Sequence, residues 1–244
     1  MNKRKYAYRI ALIVISALVA VWAIRAFLIM QVRVSDDTQA PYLITGDHLL
    51  VSRLSYGLRL PIDNRHGRPI RIGSSTPLRG TLACFNSPTP DSLGIASRHV
   101  FVATITALPG DTVWVDTLTT SVAHEPHHGL LPLPVPSRGR AIAVTPANMG
   151  IITQTLRMHE GVDSMTIRDG KLYIAHDRAD SVRFSQDYYW VSAGHKEKGI
   201  DSQTFGFLPH SHLIGRPLII SYSTDPTAPW YAPLRTDRTM KSIN

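Results

Sequence analysis

Thr38 is the residue best placed in this sequence to do chemistry. It heads the run Thr38-Gln-Ala-Pro41-Tyr-Leu-Ile-Thr-Gly46-Asp47, two residues after Asp36 and three after Ser35. A threonine hydroxyl can attack a carbonyl carbon, although its methyl group crowds the approach and it needs a base to take its proton. That base must come within hydrogen-bonding distance in the folded chain. His99 and His195 are the imidazoles that folding could bring there.

The other reactive side chains point to less. Cys84 stands in the apolar run Leu82-Ala-Cys-Phe85, which suits a buried, inert thiol, and a lone cysteine cannot form an internal disulfide. His124, His127 and His128 lie in a Pro-rich stretch, but Pro126 interrupts their order and no carboxylate or cysteine is spaced to complete a metal site. A solvated loop accounts for them. No metal and no cofactor is expected.

The elements that must position Thr38 begin with an apolar stretch over residues 10–30, broken by Ser16 and Arg25. As a helix rising about 1.5 Å per residue it would span roughly 30 Å, the thickness of a hydrocarbon core. Lys3, Arg4, Lys5 and Arg9 precede it, which predicts a cytoplasmic N-terminus and one membrane span, uncleaved because no Ala-x-Ala site follows. Beyond Asp47, apolar residues alternate or run in short blocks, as in residues 48–51, 82–85, 100–105 and 112–115, punctuated by Pro and Gly. That pattern predicts an all-β body.

The expected division is residues 1–33 as the N-terminus and transmembrane signal-anchor, 34–115 with 188–224 as a β core, 116–187 as an inserted β subdomain, and 225–244 as a tail. Within the insert, strands are predicted near 142–145, 164–168 and 171–175, with Asp169-Gly170 as a hairpin turn and a helix over 145–160. The net charge of +8 comes from arginines scattered singly through these strands. No nucleic acid is expected as a partner, because no basic run with interleaved aromatics follows the N-terminus.

Several boxes in order resemble those of the type I signal peptidase family, membrane-anchored serine peptidases with a Ser/Lys dyad. Thr38 to Asp47 looks like the Ser-x-x-Pro-Thr-Leu-x-x-Gly-Asp box, followed by Tyr56-Gly57. Arg79-Gly80 is similar to the Arg-Gly-Asp box, and Leu108-Pro109-Gly110-Asp111 to the Gly-x-Pro-Gly-Asp box. Asp201-Ser202 with Gly206-Phe207-Leu208-Pro209 matches the last, and Ile214-Gly215-Arg216 the strand after it. The resemblance covers essentially the whole chain. It implies a bacterial inner-membrane protein with its bulk on the periplasmic side, and an extended-peptide groove taking in Asp36, Thr38, Pro41, Phe101 and Ala103.

The departures from the family fall on its chemistry. Thr38 stands for the nucleophilic Ser, and Ala103 for the Lys that acts as base; the lysines beyond residue 30 are Lys171, Lys196, Lys198 and Lys241, none on that strand. Asp36 replaces the Ser that donates to the oxyanion, where loss of one donor costs roughly a hundred- to thousandfold in rate. Gly199 is nearest the place of the Ser that orients the Lys. No catalytic residue is therefore expected to be functional. The expected role is binding: of signal peptides or extended segments of exported proteins, or of an active signal peptidase or envelope complex. An active peptidase using Thr38 and a scaffold subunit of an envelope complex are the alternatives.

Overall fold

The computed structural model describes residues 3–35, 37–63, 67–89, 92–115, 122–123, 130–194, 200–229, 231 and 233–243. Helix α1 (Lys3–Ala23) runs into a π-helical turn (Ile24–Leu28) and then directly into strand β1 (Ile29–Arg33). β2 (Asp47–Ser52), β3 (Leu58–Asp63), β4 (Pro69–Ile72), β5 (Leu82–Asn86), β6 (Val100–Ala107) and β7 (Thr112–Val115) follow. Next come β8 (Val122–Ala123), β9 (Leu131–Pro134), β10 (Ala141–Ala143), α2 (Met149–His159), β11 (Met165–Arg168), β12 (Lys171–Ile174), β13 (Asp177–Arg178) and β14 (Ser181–Arg183). β15 (Tyr188–Ser192), the single turn α3 (Ser202–Phe205), β16 (Leu208–Pro209), β17 (Leu213–Ser223) and β18 (Lys241–Ser242) complete the chain.

The chain is mainly β, as the alternating patterns predict. Eight strands form the main sheet in the order β1-β2-β17-β5-β6-β15-β16, with β18 paired to β17. Smaller sheets join β3 to β4, β7 to β8 and β9, β10 to β14, and β11 through β13. Asp169 and Gly170 both take positive φ, 50° and 68°, and close the β11–β12 hairpin as their types predict. α2 begins at Met149 rather than at Pro146 because Asn148 and Thr145 exchange side-chain and backbone hydrogen bonds ahead of it.

The run Leu82 to Phe85 lacks polar residues because both faces of β5 are buried. Leu82 and Cys84 pack with Val32, Leu49, Val51 and Ile220 on one side. Ala83 and Phe85 pack with Tyr56, Ala103, Ile105 and Tyr189 on the other. β6 alternates in the same way, Val100 and Val102 against Phe101, Ala103 and Ile105. Cys84 is fully buried, and burial pushes its thiol well above the ordinary range, which makes it inert.

The helix expected across residues 10–30 lies earlier in the chain. α1 ends at Ala23, and Met30 and Val32 pair with Val51 and Leu49 of β2 instead of continuing a helix. Strand pairing wins there because it satisfies the backbone and buries Val32 in the core. Among the described residues no helix is long and apolar enough to cross a membrane.

Three histidines are held neutral. Burial, with nearby arginines acting in the same direction, pulls His159 and His210 down to about 4 from the usual 6.5 and His212 well below it. The unfolded chain takes up these protons below about 6.5, while folded His159 and His210 do not until about 4, so stability falls as pH falls through that window. Each histidine contributes about 1 kcal/mol per pH unit there. Denaturation midpoints measured across the window should drop with pH, and His210→Gln should flatten the drop.

Candidate functional site

The candidate site is the loop that joins β1 to β2. The ladder extends one step past β1, with Val34 N donating to Asp47 O at 2.8 Å and Gly46 N to Val34 O at 3.0 Å, so residues 35–45 bulge out as a closed loop. Asp37 organises it. Its backbone oxygen accepts from Ala40 N at 3.1 Å and its Oδ1 from Thr45 N at 2.6 Å. Leu43, fully buried, plugs the loop into the core beside Val34 and Leu49.

Asp47 fixes the base of the loop. Its carboxylate is fully buried and accepts from Ile44 N at 3.0 Å and from Arg238 Nε and Nη2 at 3.1 and 2.7 Å. Burial alone would raise its pKa, but the hydrogen bonds from Arg238, Ser223 and the Ile44 amide outweigh that and hold the carboxyl below its usual value. Arg238 Nη2 also donates to Tyr42 O at 2.9 Å, and Arg235 Nη1 to Thr45 O at 3.0 Å. Thus the C-terminal segment clamps the loop from outside. No periodicity marks these two arginines in the sequence; their spacing of three within a basic tail is the one signal they leave.

Thr38 and Gln39 are buried on the opposite side of the loop, against the end of β15. Gln39 Nε2 reaches Ser192 O at 3.5 Å. A Cβ on Gly194 would stand 3.0 Å from Thr38 O, so the absence of a side chain at 194 is what lets the loop lie so close. Ser192 pairs in turn with Thr104 of β6, the neighbour of Ala103. The fold therefore brings Thr38 to the end of β15, the strand paired with the one that carries Ala103. Pro41, after a cis Ala40–Pro41 bond, is exposed and lines a cavity of about 650 Å³ with Gln39, Leu82, Thr104, Ile220 and Lys241. Asp36 and Gly199 lie outside the described residues, as do His195 and the histidines at 124, 127 and 128.

Ala103 is fully buried among Tyr56, Ala83, Phe85, Ile105, Phe205 and Leu208. A methyl group cannot accept a proton. The hydroxyls in that cluster, Tyr56 and Tyr189, are driven well above the ordinary tyrosine value by burial, so neither is a base at neutral pH. His99 is exposed at the outer end of β6 against Phe101, four residues or about 13 Å of strand from Ala103. Lys241 lines the cavity beside Gln39 but is itself exposed, and it lacks the burial that strips water from a catalytic amine. Among the described residues no three His, Cys, Asp or Glu side chains gather to hold a metal ion.

β6 also leaves an edge. Its Val100 to Ala103 pair with β5 on one side, while β15 covers the other side only from Thr104 onward. Among the described residues no strand occupies the remaining edge. Phe101, half-buried against Phe85 at 6.2 Å between ring centres, stands on that segment.

The remaining boxes serve the framework. Asp111 Oδ2 accepts from Leu108 N and from Arg79 Nη2, both at 2.6 Å, so two of the boxes meet in one turn. Asp201 caps α3 by accepting from Gln203 N at 3.0 Å and holds Ala193 N at 3.3 Å, and Ser202 Oγ accepts from Val191 N at 2.9 Å. These bonds fix the end of β15 on which Thr38 rests.

A family model described as signal peptidase, peptidase S26, matches residues 7–222. Among characterised proteins, the chain is similar to signal peptidase I of Buchnera aphidicola subsp. Baizongia pistaciae, 28% identical over 111 residues, which is 46% of this chain and 33% of that protein. It is 32% identical over 97 residues to signal peptidase I of Buchnera aphidicola subsp. Acyrthosiphon pisum, covering 40% of this chain and 28% of the relative. With signal peptidase I of Pseudomonas aeruginosa it shares 32% over 93 residues, 38% of this chain and 29% of the relative. The matched stretch thus spans about a third of each relative's length.

Proposed function

Because the chain belongs to the signal peptidase family, peptidase S26, we propose that it is a membrane-anchored member that binds extended peptides of exported proteins and does not hydrolyse them. The observation that carries this is Ala103. A dyad base would have to project from that position toward Thr38, and a fully buried methyl packed by Phe85 and Phe205 stands there. Without a lysine at that position the hydroxyl forgoes that residue's general-base contribution, roughly a hundred- to ten-thousandfold in rate.

Binding needs less than catalysis does. An extended peptide adds to a sheet through main-chain hydrogen bonds, and the edge of β6 at Val100 to Ala103 offers such bonds. The anchor rests on α1, where Ile10, Leu12, Ile13, Ile15, Leu18 and Trp22 are all exposed. Exposed apolar side chains along a helix are costly in water and stable in lipid. The basic residues Lys3, Arg4, Lys5 and Arg9 at the start of α1 would keep the N-terminus cytoplasmic and the β body periplasmic, close to the inner membrane because β1 follows within a single π turn.

The test uses the full-length chain in liposomes with a radiolabelled preprotein. The expected result is no cleavage above liposomes without the chain, and no difference between wild type and Thr38→Ala. A photo-crosslinker in the signal peptide is expected to label β6 near Phe101. Cleavage that disappears in Thr38→Ala would establish an active peptidase instead, and a signal peptide that never crosslinks would remove the binding role. Co-purification of a stoichiometric envelope protein without peptide capture would favour a scaffold.

A further inference from the structure

A second cavity, of about 320 Å³, lies apart from the peptide groove, between the β3–β4 hairpin, the turn at Ile95–Ser97, the end of α2 and the turn at His210–His212. Asp63, Arg68, Arg98, His159, Ser211 and His212 line it. None of Thr38, Pro41, Phe101 and Ala103 does.

The cavity wall holds polar atoms whose needs the protein leaves unmet. His212 is 2% exposed; its Nδ1 lies 3.2 Å from Ser211 Oγ, and its Nε2 is buried with no partner. When Ser211 donates to Nδ1, the ring proton sits on Nε2 and must be donated elsewhere. Behind His212, Arg59 is 5% exposed and uses only Nη1, on Asn86 Oδ1 at 2.6 Å, leaving Nε and Nη2 buried without partners. Asn86 Nδ2 donates to Arg98 O at 3.0 Å, which ties the two arginines to one another.

Among the described residues, charge in this region is unbalanced toward the positive. Among them, Arg98 donates only to the neutral carbonyls of Leu93, Thr89 and Ser87. Arg68 pairs with Glu160 at 3.2 Å, but that carboxylate is also held by Ser185 Oγ at 2.5 Å and Tyr188 OH at 2.6 Å. Asp63 is the one further carboxylate lining the cavity among the described residues. Asp63 acts on Arg59 from nearby, but among the described residues no carboxylate hydrogen-bonds to Arg59 or Arg98, so a further negative charge among these donors would be stabilised. Donors converging from separate elements suit a ligand with acceptors in several directions, whereas a planar carboxylate fits a single guanidinium fork.

We propose that this cavity binds a phosphate- or sulfate-class oxyanion, held by Arg98 and the Nε2–H of His212 with Arg59 behind them. The neutrality of His212 and His159, enforced by burial and by the adjacent arginines, keeps imidazole N–H donors present without adding further repulsion between cations. The volume leaves room for a substituent on the oxyanion, so both the free ion and a phosphate monoester such as a lipid headgroup share the recognised chemistry. Binding would tie the β3–β4 hairpin to the end of α2.

The experiment follows the full-length chain in neutral detergent by ³¹P line broadening and by thermal unfolding, against inorganic phosphate and separately against glycerol phosphate, with potassium chloride and acetate at matched ionic strength. The expected result is saturable broadening and a saturable rise in Tm with a phosphate ligand and not with chloride or acetate. Arg98→Gln and, independently, His212→Gln should each weaken binding by about tenfold or more. Tighter binding of glycerol phosphate than of phosphate would assign the monoester, and equal binding the free ion. The proposal is overturned by broadening that does not saturate, by acetate acting as well as phosphate, or by unchanged affinity in both variants. Peptide capture by the β6 edge is expected to be the same with and without phosphate, so the two sites succeed or fail separately.

Discussion

Arg238→Ala is expected to lower the unfolding free energy by about 3–5 kcal/mol, the cost of stranding a buried charge. Asp47 is fully buried and Arg238 is 12% exposed in its side chain, so little water can replace the lost guanidinium. The same deletion frees Tyr42 O, which means the loop carrying Thr38 loosens as well as the tail. Arg238→Lys should recover only part of the loss, because a point charge cannot donate from Nε and Nη2 to both carboxylate oxygens and still reach Tyr42. Arg79→Ala is the control. Its pair with Asp111 is as short, but its side chains are 52% and 30% exposed, and such pairs contribute about 1 kcal/mol or less.

The pH dependence of that clamp has a definite sign. The folded-state pKa of Asp47 is depressed, so its contribution is present in full above the ordinary aspartate value of 3.8 and is lost as pH falls through the folded value. Arg238→Ala should shrink this acid-limb loss, with Ser223 and the Ile44 amide still bound to the carboxylate, while leaving the histidine-driven fall at higher pH in place. Urea midpoints measured down through both windows separate the two, and an acid limb undiminished in Arg238→Ala would mean that the arginine does not hold the carboxylate.

What the sequence disclosed and what it hid divide along the range of the interactions. Strands with period-two burial, the Asp169-Gly170 hairpin and the turns at Gly46 and Gly110 depend on residues close in the chain, and all could be anticipated from residue type. The end of α1 could not. Ile29, Met30 and Val32 suit a lipid-facing helix and a buried strand equally, and the choice is made by β2, whose paired residues lie about twenty positions later. The tail is the extreme case. Asp47 and Arg238 are 191 positions apart, and neither pattern nor propensity relates a carboxylate to a guanidinium at that distance. Ala103 lies between these cases. Its small size was readable, but its enclosure by Tyr56, Phe205 and Leu208 required the folded sheet.

Gly46→Ala is expected to destabilise the chain by more than about 4 kcal/mol, in the tail of point-mutant effects where a specific mechanism must be named. Here there are two. Gly46 has φ +94°, a conformation that costs a residue with a Cβ roughly 1–3 kcal/mol. An added Cβ would also fall 1.9 Å from Thr224 O and 3.1 Å from Thr224 C, backbone atoms that cannot rotate away. Thr224 is bound to Gly46 by its own amide, N to O at 2.9 Å, so the two segments cannot part without losing the bond that joins the end of β17 to the loop. Gly139→Ala isolates the first mechanism, since φ there is +73° and nothing lies within 4 Å of the new Cβ. It should cost only about 1 kcal/mol. The difference between the two substitutions measures how tightly the loop is seated on β17. Because Asp47 is the next residue, displacement of Gly46 also pulls the carboxylate off Arg238, so Gly46→Ala and Arg238→Ala combined should cost less than the sum of their separate effects. Strict additivity in that double mutant would show that loop seating and clamp are independent.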